Sequence, residues 1–289
     1  MIYASGSDYR ESRAKRVLFF GMSGLGKTTL ANILREAGGW FHYSVDYRIG
    51  TRYMGEYISD NFKREAMKVP LLRELLMTDS VYISSNITFD NLAPLSTYLG
   101  KPGDPARGGL PFAEYQARQE QHRVAEVAAL HDTLRFIDPA ESLYGYPHFV
   151  CDSGGSICEV VNPDDPADPV MTALSDSLLM VWIAGSDAHK AELARRFDRS
   201  PKPMYYQPEF LAALWAEYRD REGKPGDQVD PDAFLRFGYA RLLDHRQPRY
   251  AAMARWGATV TAEEVAAVTT AAALDDLIAD AIDRARRAA

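Results

Sequence analysis

The chain has 289 residues, 46% hydrophobic and 25% charged, enough for a sizeable buried core in one large domain or two modest ones. With 33 Lys plus Arg against 40 Asp plus Glu, the net charge of -7 sets the average field against polyanions and argues against a broad basic nucleic-acid surface. Two cysteines, Cys151 and Cys158, are too few for a disulfide framework or a thiolate metal cage. The N-terminal residues lack a continuous apolar segment, and no apolar run approaches the roughly 18 residues a membrane span needs, which points to a soluble, cytoplasmic protein.

The first apolar run, VLFF at 17–20, leads directly into GMSGLGKTTL and the helix-compatible ANILREAG, giving strand, glycine loop and helix. A second run, WFHYSV at 40–45, follows the Gly38-Gly39 break at a distance suited to a βαβ crossover. The runs HFVCD at 148–152, SLLMVWIA at 177–184 and ATV near residue 259 are each separated by helix-forming sequence. The pattern predicts an α/β fold, a three-layer sandwich whose five-stranded sheet is mostly parallel, with helices on both faces. Residues 1–55 and 141–289 would form the core, and 56–140 a large helical insertion.

Within that insertion, Glu56 to Met77 reads as helix interrupted at Pro70, and Phe112 to Leu134 as an alanine-rich helix. VYISSNI at 81–87 reads as a further strand or a buried connector. LAPLSTYLGKPGDPARGGLP carries too many prolines and glycines for a regular element, and serves as a mobile lid, a substrate loop or an ordered excursion. NPDDPADP at 162–169 is a turn region. The last stretch predicts one long helix capped by Thr261, with Glu264 completing a capping box.

The strongest chemical signal is Gly21-Met22-Ser23-Gly24-Leu25-Gly26-Lys27-Thr28-Thr29, a complete G-x-x-x-x-G-K-T phosphate-loop pattern after a strand and before a helix. Small residues let backbone N–H groups curve around phosphates, Lys27 reaches the β and γ oxygens, and the Thr28 hydroxyl suits Mg²⁺. ATP and Mg²⁺ are therefore the expected ligands. Asp46, at the end of the second strand, is a candidate for the Mg²⁺ shell or for deprotonating an acceptor hydroxyl; capping the next turn is its alternative. Asp152 ends the third strand as a second metal candidate, and Ser153-Gly154-Gly155-Ser156 offers N–H groups to an acceptor or forms an ordinary turn.

Taken together these residues resemble the shikimate kinase and small P-loop kinase group, and more weakly the nucleoside monophosphate kinases. The resemblance implies a P-loop NTPase core. It aligns Gly21 to Thr29, Asp46, Gly154 with Gly155, an arginine lid at Arg195 to Arg199, and Arg246-Gln247-Pro248-Arg249-Tyr250 as an R-x-P-x-Y segment with Pro248 fixing a turn. Two departures stand out. Where that group carries D-x-D this chain has Asp46-Tyr47-Arg48, which argues against shikimate itself and for an acceptor bearing phosphate or carboxylate. The chain is also longer than the compact family plan.

The lid reading puts Arg195 and Arg199 against charge developing on the γ-phosphate, with a solvated helix face as the alternative. Arg246 would hold an acidic acceptor, and Arg48 and Arg52 form a second anion clamp or pair with neighbouring acids. His122 and His131 fit no zinc motif, the cysteines suit buried packing, and the tyrosines at 43, 47, 53 and 57 suit ring stacking or packing. The function expected is ATP-dependent phosphoryl transfer to a small acceptor. An ATPase-coupled switch or nucleotide-binding regulator, with a protein or nucleic-acid partner on the inserted lobe, is the alternative.

Overall fold

The computed structural model describes residues 1–288. In chain order it runs α1 (Gly6–Glu11), β1 (Arg16–Phe20), α2 (Lys27–Ala37), β2 (Trp40–Ser44), α3 (Gly55–Ala66), α4 (Pro70–Met77), α5 (Ala93–Leu99) and α6 (Phe112–Ser142). It continues through β3 (His148–Asp152), α7 (Pro169–Ser177), β4 (Leu179–Ala184), α8 (Asp187–Arg199), α9 (Pro208–Glu222), α10 (Pro231–Ala254), β5 (Ala258–Thr261) and α11 (Ala271–Ala288). Two compact units emerge: residues 1–45, 127–200 and 236–289, and residues 46–126 with 201–235.

The larger unit holds the sheet, in the order β2-β3-β1-β4-β5, with every pairing parallel. Parallel strands covered on both faces need continuous apolar runs, and RVLFF and HFVCD supply them, each buried after its first residue. On one face α2 lies against β2 and β3, and α11 against β5. On the other, Phe136 of the second half of α6 meets Phe41 and Tyr43 of β2, and the Tyr43 hydroxyl donates to Ala129 O at 2.7 Å. These are three layers, as expected.

The strand order has a chemical consequence. The chain leaves β1 outward over β3 to reach β2, then leaves β3 the opposite way, over β1, to reach β4. The loops after β1 and β3 therefore diverge, and a crevice opens at the carboxyl ends of these neighbouring strands.

Along one edge of this unit, α1 is fastened to α11. Gly6 N donates to Asp283 at 2.7 Å, the Tyr9 hydroxyl to Asp275 at 2.9 Å, and Arg10 pairs with Asp276 and Asp280 at 3.1 and 2.9 Å. A Cβ at Gly6 would stand 2.5 Å from Ala279 O, so only glycine permits this approach.

In the smaller unit, Pro70 opens α4 at its first turn, where its missing N–H costs nothing. Arg118, on the first half of α6, donates to Tyr98 O at 2.5 Å and to Glu114 and Asn61 at 2.7 and 3.2 Å. Gln119 accepts from Tyr206 N at 2.9 Å and donates to Met204 O at 3.1 Å. Phe112 stacks on Trp215 with ring centres 4.7 Å apart, and Lys101 and Arg107 pair with Asp232 and Asp230. These bonds attach 201–235 to 46–126, whereas the sequence pattern assigns 201–235 to the core and closes the insertion at residue 140.

Four local expectations need correction. The 81–87 segment is the connector of the two alternatives rather than the strand, but not a buried one: among the described residues no strand pairs with it, and Tyr82 is 85% exposed. The Pro/Gly-rich stretch contains the regular helix α5, whose proline lies in its first turn. The C-terminal helix is broken. The Thr261/Glu264 capping box starts a short helix, Ala262–Ala266, and Thr270 accepts from Ala273 N at 3.2 Å to start α11. Pro248 fixes no turn, because it lies inside α10, on the helix's exposed face.

Candidate functional site

The crevice in the larger unit is built on the loop between β1 and α2. Gly21, Gly24 and Gly26 take φ values of 139°, 88° and 94°, which side chains resist, and Gly26 caps α2 with no side-chain hydrogen bond to its first N–H groups. No acidic residue occupies the first turn of this 11-residue helix. Its N-terminus keeps its positive potential and its donors for an anion.

Lys27, 8% exposed, folds back across the loop, its ammonium donating to Gly21 O at 2.8 Å and Met22 O at 3.0 Å. Ser23, Thr28 and Thr29 are exposed, whereas Leu25 is buried. The loop is held from several sides. A Cβ on Gly21 would meet Ile183 O at 2.7 Å, one on Gly24 the Leu193 side chain at 2.9 Å, and one on Gly26 that of Val265 at 3.2 Å. Glycine lets the backbone settle among these neighbours while turning its N–H groups through a tight curve.

Across the crevice, Asp152 ends β3 beside Phe19 of β1, buried, with His42 Nε2 at 3.3 Å from its carboxylate. Ser153 donates through both its backbone N and its hydroxyl to Phe19 O, each at 3.1 Å, stitching the two loops at their roots. Gly154 and Gly155 come next. A Cβ at Gly155 would stand 2.4 Å from the Ser23 hydroxyl and 3.2 Å from Ser23 N.

The 153–161 segment is clamped from α10. Arg246, 3% exposed, donates Nε to Glu159 at 2.9 Å and Nη1 to Gly155 O at 2.8 Å, and the Tyr250 hydroxyl also donates to Gly155 O. Arg249 donates to Cys158 O at 2.6 Å and Val161 O at 2.9 Å, and His245 Nε2 lies 3.2 Å from the second Glu159 oxygen. Burial alone would raise the Glu159 carboxyl; the bond with His245 and the charge of Arg246 outweigh it and hold the group below its ordinary range. Arg246, expected to grip an acidic acceptor, is thus engaged by an internal carboxylate and a carbonyl. The sequence does not single out Glu159. Its signal is a carboxylate inside the apolar run Ile157-Cys158-Glu159-Val160-Val161, which on burial demands a cationic partner.

The proposed lid is α8. Its Leu193 lies against Gly24, and its Phe197 stacks on Tyr239 of α10 at 3.8 Å. Arg195 and Arg199 are exposed on this helix, and Arg195 pairs with Glu192 at 2.5 Å. Arg195 is two positions from Leu193, which at roughly 100° per residue puts it on nearly the opposite side of the helix.

Asp46, Arg48 and Arg52 belong to the smaller unit. Asp46 and Arg48 sit in the helical turn Val45–Arg48 that comes after β2. The Arg48 guanidinium lies 5.8 Å from the centre of the Tyr53 ring, and Arg52 lines a cavity within that unit. Tyr47 stacks on Phe89, and Tyr57 lies against Tyr98. Among the described residues no cluster of three metal-ligating side chains occurs, and no helix is long and apolar enough to cross a membrane.

No family model matches this chain, and no curated protein matches it. Among solved structures it is similar to a shikimate kinase from Bacteroides thetaiotaomicron, at 15% identity over 95% of this chain and 97% of that one, with a TM-score of 0.35. At that distance the likeness carries no weight beside the sheet and loop themselves.

Proposed function

We propose that the chain is an ATP-dependent phosphotransferase acting on a small hydroxyl-bearing acceptor. The observation that carries this reading is the loop from Gly21 to Thr28: three left-handed glycines, an uncapped helix N-terminus without acids, and an ammonium held across the turn. Such a concavity suits a triphosphate better than any neutral ligand.

In this reading the N–H groups from Ser23 to Thr29 hold the donor phosphates, and Lys27 exchanges its loop carbonyls for β and γ oxygens. Thr28 and Asp152, with Asp46 as a further candidate, would hold Mg²⁺, which when bound neutralises charge between the donor oxygens. The exposed Thr28 hydroxyl and the carboxylate ending β3 are hard oxygen donors suited to that ion. Asp46 orients the acceptor hydroxyl and takes its proton, the N–H groups of Gly154 and Gly155 border the acceptor, and Arg199 opposes charge on the transferred group, whereas Arg195, turned from the loop and paired with Glu192, would do so only after breaking that pair. The test is ATP turnover over a panel of hydroxyl-bearing metabolites with mass detection of phosphorylated product. Folded protein that binds ATP yet phosphorylates none of them defeats the assignment.

A second reading, nucleotide hydrolysis coupled to a macromolecular partner, is favoured by α4. This helix carries Leu71, Leu72, Leu75, Leu76 and Met77 and buries none of them, with Leu71 63% and Met77 72% exposed. Exposed apolar stripes of this kind mark contact surfaces. Hydrolysis stimulated by a partner, without a phosphorylated small product, distinguishes it from the first reading.

A further inference from the structure

The smaller unit contains a cavity of about 1000 Å³, at the upper end of the range for small-molecule sites, bounded by the turn Ile49–Tyr53, the start of α3 and the 82–87 connector. That turn is a π-helical one, closed by Met54 N donating to Ile49 O at 2.8 Å, and such turns are rare and frequently lie at functional sites. In a regular α-helix Arg52 and Glu56, four residues apart, would lie on one face and pair. The wide turn inserts a residue and rotates the succeeding helix by roughly 100°. Arg52 and Glu56 accordingly form no ion pair or hydrogen bond among the described residues, yet both line the cavity. A cationic donor and an anionic acceptor thus border the same cavity without neutralising each other.

The rest of the lining narrows the ligand class. Lys63 and Asp60, paired at 3.1 Å, also border the cavity, so its two cations are matched by two carboxylates. An anion seated on Arg52 would also meet the carboxylate of Glu56, and a cation seated on Glu56 would meet the guanidinium of Arg52, each uncompensated. A neutral molecule with adjacent hydroxyls both donates to a carboxylate and accepts from a guanidinium, and so satisfies both groups at once. Tyr57 and Tyr82, 48% and 85% exposed, add flat apolar faces of the kind that cover the C–H side of a sugar ring. We infer that this cavity binds a neutral polyhydroxylated molecule, a free saccharide or a cyclitol. The inference stands on the smaller unit alone and does not depend on phosphoryl transfer.

The experiment is calorimetric titration of the full chain with D-glucose, maltose and myo-inositol, with glucose 6-phosphate as the charged control. The same titrations are run on Glu56→Ala, Arg52→Ala and Tyr82→Ala. All three side chains are at the surface, so the folds should survive, which thermal melts verify. The expected result is saturable binding of at least one neutral probe in the millimolar range or tighter, weakened about tenfold or more by Glu56→Ala and by Arg52→Ala, and severalfold by Tyr82→Ala. Glucose 6-phosphate should bind more weakly than glucose. Absence of saturable binding by all three neutral probes overturns the inference, as does binding that the variants leave unchanged. Tighter binding of the phosphorylated sugar overturns the assignment to a neutral ligand.

Discussion

Gly155 stands so close to Ser23 that any β-carbon at 155 would intrude to 2.4 Å from the Ser23 hydroxyl, which makes the loop after β3 a wall for the loop after β1. Gly155→Ala should therefore act on the glycine loop rather than on the sheet. Rotating the Ser23 hydroxyl relieves part of the overlap, but the backbone N of Ser23 at 3.2 Å cannot yield so easily. Nucleotide affinity is expected to fall about tenfold, with partial recovery in the double variant Gly155→Ala/Ser23→Ala. Fluorescent ATP-analogue titration measures both; equal affinity in Gly155→Ala and the parent would break the proposed link.

Lys27→Met keeps much of the side chain's length while removing its charge. The carbonyls of Gly21 and Met22 lose a donor, a cost of about 1–3 kcal/mol that solvent at the loop reduces. ATP affinity should drop well beyond tenfold while the melting temperature moves by only a few degrees. A variant that binds ATP as the parent does would remove the main support for the phosphotransferase reading.

Glu159→Ala leaves the Arg246 guanidinium buried without its carboxylate, a change expected to cost about 3–5 kcal/mol in urea unfolding. Glu159→Gln, which keeps an acceptor oxygen, should cost less. The folded pKa of Glu159 lies below its ordinary value of 4.5, so its stabilising contribution is complete above that value and disappears as pH falls through the lower folded one. The parent should lose stability below about pH 4.5 more steeply than Glu159→Gln. Parallel pH profiles for the two proteins would contradict this.

Both cysteines should be silent toward alkylation of the native protein. Cys151 and Cys158 are fully buried, and burial above all pushes the Cys158 thiol up to about 12, leaving almost no thiolate near neutrality. Iodoacetamide labelling followed by mass spectrometry should find both only after denaturant is added. Rapid labelling of either in the native state would place it near the surface.

The sheet was legible because parallel strands buried on both sides must be apolar throughout, and β3 coincides with HFVCD. The glycine loop was legible because its backbone geometry dictates its residue types. Less local features were hidden. Pro248 reads as a break, yet the helix continues through it, because Arg246 and Tyr250 on either side are fixed to Gly155 and the proline itself faces water. Glu159 shows in the sequence only as a carboxylate within an apolar run, with nothing to identify its partners, because His245 and Arg246 lie more than eighty residues away. The π-turn at Ile49–Tyr53 has no composition of its own, and its effect on Arg52 and Glu56 appears only in three dimensions.

The fastening of α1 to α11 bears on how the molecule is made. Asp275, Asp280 and Asp283 are synthesised more than 260 residues after Gly6, Tyr9 and Arg10, the groups they hold. At roughly 5–20 residues per second the opening helix waits many seconds for its partner. β5, which flanks β4 at the sheet edge, is also synthesised late. A nascent chain halted before β5 therefore carries the complete glycine loop on a sheet whose β4 edge is still unpaired, and the seam closes only once β5 and α11 have been made.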